Sequence, residues 1–242
     1  MPRVDVIIPV LNEEHSLPRC LERLIDFLEG NLHYDWRIVV ADNGSTDHTF
    51  EVAQRYVERY VDHVEVIYLS QRGRGRALKK AWLQSDAQVV SYMDVDLSTG
   101  LDAFPALIGT ILDGESDIAW GSRLSSTSKT RRSINREIIS RMYNLIIRMI
   151  MRIRFKDAQC GFKALSHDAA KVLLPHIKDN NWFFDTELLI VAEKNGFKGR
   201  EIPVEWTEDP DSRVKIVKTA LEDLKGLMRL RFGGIPNVFA SD

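Results

Sequence analysis

VVSYMDVDLS, residues 89–98, is the stretch on which the fold turns. Val89, Val90, Tyr92 and Met93 make a short β-rich apolar run, and Asp94 and Asp96 follow it at once. Carboxylates cannot be left unpaired in a core, so the run ends at a rim, where a strand leaves a sheet and opens on a site. Three earlier segments are built alike. Val4 to Val10 is β-rich, and polar Asn12-Glu13-Glu14-His15-Ser16 follows it, then a helical pattern through Leu17, Cys20, Leu21, Leu24, Ile25 and Leu28. Trp36 to Ala41 leads into Asp42-Asn43-Gly44-Ser45-Thr46-Asp47 and a helix from about Thr49 to Tyr60. Val64 to Leu69 leads into a Gly/Arg loop and a helix from Ala77 to Ser85.

Alternating strands and helices predict an α/β chain: a Rossmann-like, doubly wound, mostly parallel sheet with helices on both faces. Such sheets bind ligands in the crevice at the carboxyl ends of their strands, so the loops after the first, second and fourth strands are expected to converge. Beyond Trp120 the pattern loosens. It predicts a strand over Ile118 to Gly121, a long basic helix over about Ile134 to Ile153, and a short helix from Asp168 to Leu174. A helix near Glu187 to Asn195, a strand from Gly199 to Trp206, a helix from about Val214 to Arg231 and a frayed tail from Gly233 complete it.

The chain has 242 residues, 44% of them hydrophobic, enough for one large domain over 1–242. A net charge of -2 argues against a generic polyanion binder. Two distant cysteines, Cys20 and Cys160, make neither a disulfide framework nor a metal knuckle, which suits a reducing compartment. Asp5 and the acidic loop behind it mark the N-terminal apolar run as a strand rather than a signal peptide. No stretch of eighteen uncharged apolar residues is present. The six histidines lack partners at ligand spacing, and neither a Gly-x-Gly-x-x-Gly nor a Gly-x-Ser-x-Gly occurs.

Residues two apart on a strand share a side, so Asp94 and Asp96 can present their carboxylates together. Oxygen ligands of this kind suit Mg²⁺ or Mn²⁺, which need one or two carboxylates plus a diphosphate; exposed turn residues are the other reading of a lone Asp-x-Asp. Four motifs carry a resemblance that widens the context. Pro9-Val10-Leu11-Asn12-Glu13, Ala41-Asp42-Asn43-Gly44-Ser45-Thr46-Asp47, Gly73-Arg74-Gly75-Arg76-Ala77-Leu78 and Asp94-Val95-Asp96 together resemble the family-two glycosyltransferases of the GT-A fold. Leu11 and Asn43 depart from the usual Tyr and Asp. Further on, Gly121-Ser122-Arg123, Arg136 with Ser140 and Asn144, Asp157 to Lys163, and Trp182 to Leu189 resemble the polyprenyl-phosphate glycosyltransferases, closest to the dolichyl-phosphate glucose type. Ser212-Arg213 stands where Ser-Lys is common in the mannose enzymes.

The resemblance implies a nucleotide-sugar half over about 4–121, where Pro9, Leu11, Asn12, Glu13, Asp42, Asn43 and Val95 hold the donor with Asp94 and Asp96. It implies an acceptor half over about 122–232. The expected reaction is an inverting, cation-dependent hexose transfer from UDP-glucose to a polyprenyl phosphate. GDP-mannose as donor and a soluble saccharide as acceptor are the alternatives. A lipid monophosphate, with a second pKa of roughly 6, is already largely dianionic at neutral pH and needs cations rather than a general base. Arg123, Arg136 and Arg213 are the candidates for those cations. Asp185 and Glu187 are either a structural pair at a helix start or groups beside the acceptor.

Residues 129–156 carry Lys129, Arg131, Arg132, Arg136, Arg141, Arg148, Arg152, Arg154 and Lys156 interleaved with large aliphatics. A basic amphipathic helix of this composition can lie in an anionic bilayer surface; packing on the domain or against a second copy are the alternatives. The aliphatic mixture, without stacking aromatics, argues against nucleic acid. The expected location is therefore cytoplasmic and peripheral to a membrane.

Overall fold

The computed structural model describes residues 3–131, 134–208 and 216–240, apart from the side chains of 134–136 and 216–218. The chain runs β1 (Arg3–Val10), α1 (Ser16–Asn31), β2 (Asp35–Asp42), α2 (Thr49–Arg59), β3 (Val64–Tyr68), α3 (Arg74–Gln84) and β4 (Val89–Met93). It continues α4 (Phe104–Leu112), β5 (Ile118–Ser122), β6 (Lys129–Arg131), α5 (Ile134–Met151), β7 (Phe162–Ser166), α6 (His167–Leu173), α7 (Phe184–Lys194), β8 (Gly199–Pro203), β9 (Glu205–Thr207) and α8 (Ile216–Gly233).

Seven strands form one sheet in the order β3-β2-β1-β4-β7-β5-β8, and β6 pairs β9 in a separate parallel ribbon. β3, β2, β1 and β4 are parallel, β7 is antiparallel to both of its neighbours, and β5 pairs β8 in parallel. Alternation along each strand divides the core. Val4, Val6, Ile8 and Val10 of β1 pack with α1 and α4 on one face, and Ile7, Val39, Val90 and Tyr92 pack with α3, α6 and α7 on the other. The helical positions Leu17, Cys20, Leu21, Leu24, Ile25 and Leu28 of α1 are all buried. Asp5 is buried too, and Arg37 at 2.5 Å and the Ser85 hydroxyl at 2.6 Å satisfy it.

Four expectations are corrected. The run from Gly199 to Trp206 is broken at Val204, where the chain leaves the main sheet to form β9. α3 begins at Arg74 rather than Ala77, because Gly73 adopts φ +150 and starts the helix directly after the loop. β7 and the buried helix α4 lie where only connecting chain was anticipated. The tail does not fray through residue 240: the Val238 N–H donates to Asn195 Oδ1, and Asn195 Nδ2 donates to the Pro236 carbonyl.

Candidate functional site

The carboxyl ends of β1, β2 and β4 meet through their loops. The Asn12 N–H donates to Ser45 Oγ at 2.9 Å, and the Thr46 N–H donates back to Asn12 Oδ1 at 2.8 Å. The Glu13 N–H reaches Thr49 Oγ1 at 2.8 Å. Asn12 can take part because it holds φ +56, a conformation asparagine tolerates. The third loop joins them: Gly73 N–H donates to Asn43 Oδ1 at 2.6 Å. Val10 is in register with Asp42, so Pro9, Leu11, Asn12, Glu13, Asp42 and Asn43 line one stretch of rim. Asp42 Oδ1 accepts the Ser45 N–H, but its Oδ2 is buried with no hydrogen-bond partner.

β4 ends at Met93, so strand alternation does not align the two acids as anticipated. Asp94 to Leu97 form a turn instead, closed by the Leu97 N–H on the Asp94 carbonyl at 3.0 Å. Leu97 holds φ +49, a strained value for a branched residue. Asp96 is exposed and accepts the Ser98 N–H at 2.8 Å, with Val95 half-buried between the acids. Gly100 and Thr207 N–H bonds to the Glu205 and Ser98 carbonyls clamp the following loop onto β9.

Asp94 rests on a buried chain of alternating charges. Arg74 donates to Asp94 Oδ1 at 2.6 Å and to Asp185 Oδ2 at 2.6 Å. Its guanidinium lies between the rings of Tyr92 and Trp182, 4.9 and 5.1 Å from their centroids. Lys163, wholly buried, holds Asp185 Oδ1 at 2.9 Å, and the Tyr92 hydroxyl donates to the same oxygen. Burial works to raise the Asp185 pKa, yet Lys163 and Arg74 hold the carboxyl below its usual value. The close approach of α3 to α7 that this needs explains Gly75, where a β-carbon would lie 2.6 Å from that of Phe184. Gly161 sits under Asp94: its carbonyl accepts the Asp94 N–H at 3.2 Å, and a β-carbon there would fall on the carboxylate.

Other expected site residues are placed differently. Arg123 is bound to a carboxylate: its Nε and Nη2 each donate to Asp157 at 2.8 Å, and its guanidinium lies over Trp206. Burial opposes ionisation of Asp157, but Arg123 keeps its pKa below the usual range. Glu187 shares the first turn of α7 with Asp185, and both its oxygens are taken by Arg229 at 2.9 Å and by the N–H groups of Lys178 and Asp179. These contacts tie α7 to α8 and to the segment before it. Arg136 falls in the first turn of α5 with its side chain outside the described residues, and Arg213 lies outside them altogether. Sequence reasoning missed Tyr92 and Lys163; the signal was a lysine inside the apolar run Phe162 to Leu165.

Two carboxylates thus share one turn at the end of β4, Arg74 at the start of α3 reaches the first of them, and Gly73 beside it binds Asn43 after β2. Residues 5–174 match the model of a family described as Glycosyl transferase family 2. The chain belongs to glycosyl transferase family 2. Similar members include glycosyltransferase AglD of Haloferax volcanii, 34% identical over 220 residues, which are 90% of this chain and 35% of AglD. The dolichyl-phosphate beta-glucosyltransferase ALG5D of Trichomonas vaginalis is 34% identical over 92% of this chain and 72% of its own. The dolichyl-phosphate beta-glucosyltransferase of Homo sapiens is 29% identical over 95% of this chain and 75% of its own.

Among solved structures, glucosyl-3-phosphoglycerate synthase from Mycobacterium tuberculosis shares the fold. Its complex with Mn²⁺, UDP and glucosyl-3-phosphoglycerate gives a TM-score of 0.70 at 18% identity, covering 96% of this chain and 81% of that one. Its complex with Mn²⁺ and UDP-glucose gives 0.68 at 17% identity, covering 96% and 80%. This family-two member is thus a glycosyltransferase of GT-A architecture. Among the described residues no helix is long and apolar enough to cross a membrane.

The residues present fit a divalent cation that arrives with a diphosphate. Asp94 keeps 42% of its side chain exposed and Asp96 stands in the open at the same turn. No group of three or more His, Cys, Asp or Glu side chains is assembled to hold an ion among the described residues. Two carboxylates leave the remaining coordination to phosphate oxygens and water.

Proposed function

We propose that this glycosyltransferase moves glucose from UDP-glucose to a polyprenyl or dolichyl monophosphate, with inversion at the anomeric carbon. The observation that carries the acceptor class is the state of the buried carboxylates around the turn at Asp94. Asp185 is held by Arg74 and Lys163, Asp157 by Arg123, and Glu187 by Arg229. A carboxylate so paired is a poor proton acceptor, which suits a nucleophile that arrives already ionised. A phosphate monoester does; a sugar hydroxyl does not. The sugar and the lipid are those named for the similar dolichyl-phosphate beta-glucosyltransferases.

Asp94 and Asp96 would hold Mg²⁺ or Mn²⁺, which would supply charge neutralisation for the departing diphosphate. Asp42, with Pro9, Leu11, Asn12, Glu13, Asn43 and Val95, shapes the nucleoside rim. Arg74, already charged and oriented, adds a second positive group beside Asp94. Arg136 and Arg213 grip the acceptor phosphate, and Arg123 positions the turn at Asp157. An acceptor oxygen forms the bond to C1 while the bond from C1 to the diphosphate breaks, and UDP leaves with the electron pair; no proton need move.

The outer faces of α5 and α8 supply the acceptor's surroundings. Met142, Leu145 and Met149 on α5, and Leu224, Met228 and Phe232 on α8, are all exposed at helical spacing, beside Arg141, Arg148 and Lys225. This reading sets the pair on an anionic bilayer surface, the enzyme being peripheral and cytoplasmic. The test is transfer of labelled sugar from a panel of UDP- and GDP-sugars to polyprenyl phosphate in detergent, with Mg²⁺ or Mn²⁺. Lipid-extractable β-linked product from UDP-glucose, lost with chelator and in Asp96→Asn, is the expected result. Label from GDP-mannose alone, transfer to soluble saccharides only, or retained α configuration overturns the corresponding part.

A further inference from the structure

Asp94 is backed by the turn 157–161, and each residue of that turn is held from elsewhere. Asp157 is held by Arg123 after β5, the Ala158 N–H donates to Asn144 Oδ1 of α5 at 3.0 Å, and the Cys160 carbonyl accepts from Lys163 Nζ at 2.6 Å. Gly161 meets Asp94. Gln159 is held by α8: its Nε2 donates to Asp223 Oδ2 at 2.6 Å. Asp223 is only 2% exposed, and besides the Gln159 amide the Tyr143 hydroxyl is the polar group that bears on its carboxyl.

Burying a carboxylate is costly even when it has hydrogen-bond donors, and burial is the largest influence on Asp223. α8 does not need it for anchorage, because Gly226 lets the helix press on Phe183, where a β-carbon would come within 2.2 Å, and Arg229 binds Glu187 through both oxygens. An apolar residue at 223 would seal the same interface without that penalty. What an apolar residue could not do is accept the Gln159 amide.

We infer that Asp223 is a positioning residue for the cation-binding carboxylate: through Gln159 it fixes the 157–161 turn at the height where Gly161 backs Asp94. The inference rests on the reading that Asp94 holds the cation of the donor diphosphate. It makes α8, one of the two helices with an exposed apolar outer face, part of the support for the reaction centre.

The test measures manganese-dependent UDP binding by calorimetry, and unliganded melting, for wild type, Asp223→Ala, Asp223→Asn, Gln159→Ala and the double alanine variant. Each single alanine is expected to weaken Mn²⁺–UDP binding about tenfold, roughly 1.4 kcal/mol. The double variant is expected to be no weaker than the worse single, because both changes break one link. Asp223→Asn keeps an acceptor for Gln159 and is expected to bind within about twofold of wild type. Gln159 is half-buried, so Gln159→Ala carries the test if Asp223→Ala does not fold. Wild-type affinity in the alanine variants, whatever their melting temperature, overturns the inference, as do losses that add to about a hundredfold. Wild type that binds no UDP with Mn²⁺ overturns the reading of the Asp94 site itself, and this inference with it.

Discussion

A β-carbon placed on Gly161 would lie 1.7 Å from Asp94 Oδ2, so the carboxylate occupies the space that any other residue at 161 would need. Asp94 therefore owes its position to a missing side chain on the neighbouring strand's approach. Gly161→Ala is expected to push the carboxylate away and lower transfer and Mn²⁺–UDP affinity by roughly 100-fold, the usual effect of about 1 Å of misplacement at a reacting centre. Binding calorimetry beside a circular dichroism spectrum checks it: unchanged affinity in a folded variant would show that Asp94 does not touch the donor.

Arg74 joins two acids, Asp94 and Asp185. Removing one member of a buried charge cluster costs about 3 kcal/mol, and Asp185 retains Lys163 as partial compensation. Arg74→Ala is expected to lose that order of stability together with most activity. Arg74→Lys is expected to recover stability only in part, because one ammonium cannot reproduce a planar group bridging two carboxylates between two rings. Urea denaturation of the three proteins decides; equal midpoints would contradict the bridging role.

Burial raises the Asp223 carboxyl from its ordinary 3.8 to about 6, against the lowering pull of Tyr143 and Gln159, with Asp179 and Asp185 adding negative field. Between those two values the native state binds more protons than the unfolded chain, so this group's contribution to stability falls as pH rises. Its cost is fully present above about pH 6 and amounts to about 3 kcal/mol at most. Asp223→Asn is thus expected to melt higher than wild type at pH 8, with the gap closing as pH approaches 4. A gap that widens on acidification would mean that the carboxyl is stabilising in its charged form.

Met142 and Met149 face outward on α5 at 57% and 63% exposure. Burial of a methionine is worth on the order of 2 kcal/mol. Met142→Glu with Met149→Glu is expected to abolish flotation with anionic vesicles and transfer to lipid, leaving Mn²⁺–UDP binding intact. Undiminished flotation sinks the bilayer reading, and a change in sedimentation without vesicles would point to a second copy on this face.

The rim of the donor site was legible because strands that end in polar loops announce themselves: Val10 and Asp42 are neighbours in register, as the paired motifs required. The place of Asp94 and Asp96 at a strand's exit was recognisable, while the turn that holds them was not, since Leu97 with φ +49 is nothing that leucine advertises. β7 was hidden by Lys163, a charge that reads as a break until its partners are seen at Asp185 and Cys160. α4 was hidden for the opposite reason, being apolar on nearly every side and so without the polar stripe that marks a surface helix. Arg123 looked like a free phosphate ligand because nothing local indicates a partner as distant in sequence as Asp157.

β7 lies between β4 and β5, although it follows both in the chain. A ribosome that has released the chain through β5 has produced β4 paired on one side only, with β1, and β5 not paired at all, because the slot between them is reserved for Phe162 to Ser166. Until that segment emerges, β4 and β5 each offer a bare edge to other chains. The segment through β5 is therefore not a separable folding unit, and a fragment stopped at residue 121 is expected to aggregate rather than fold. Any viable split of this enzyme into two complementing pieces has to fall after β7, which confines useful breakpoints to the segments beyond residue 166.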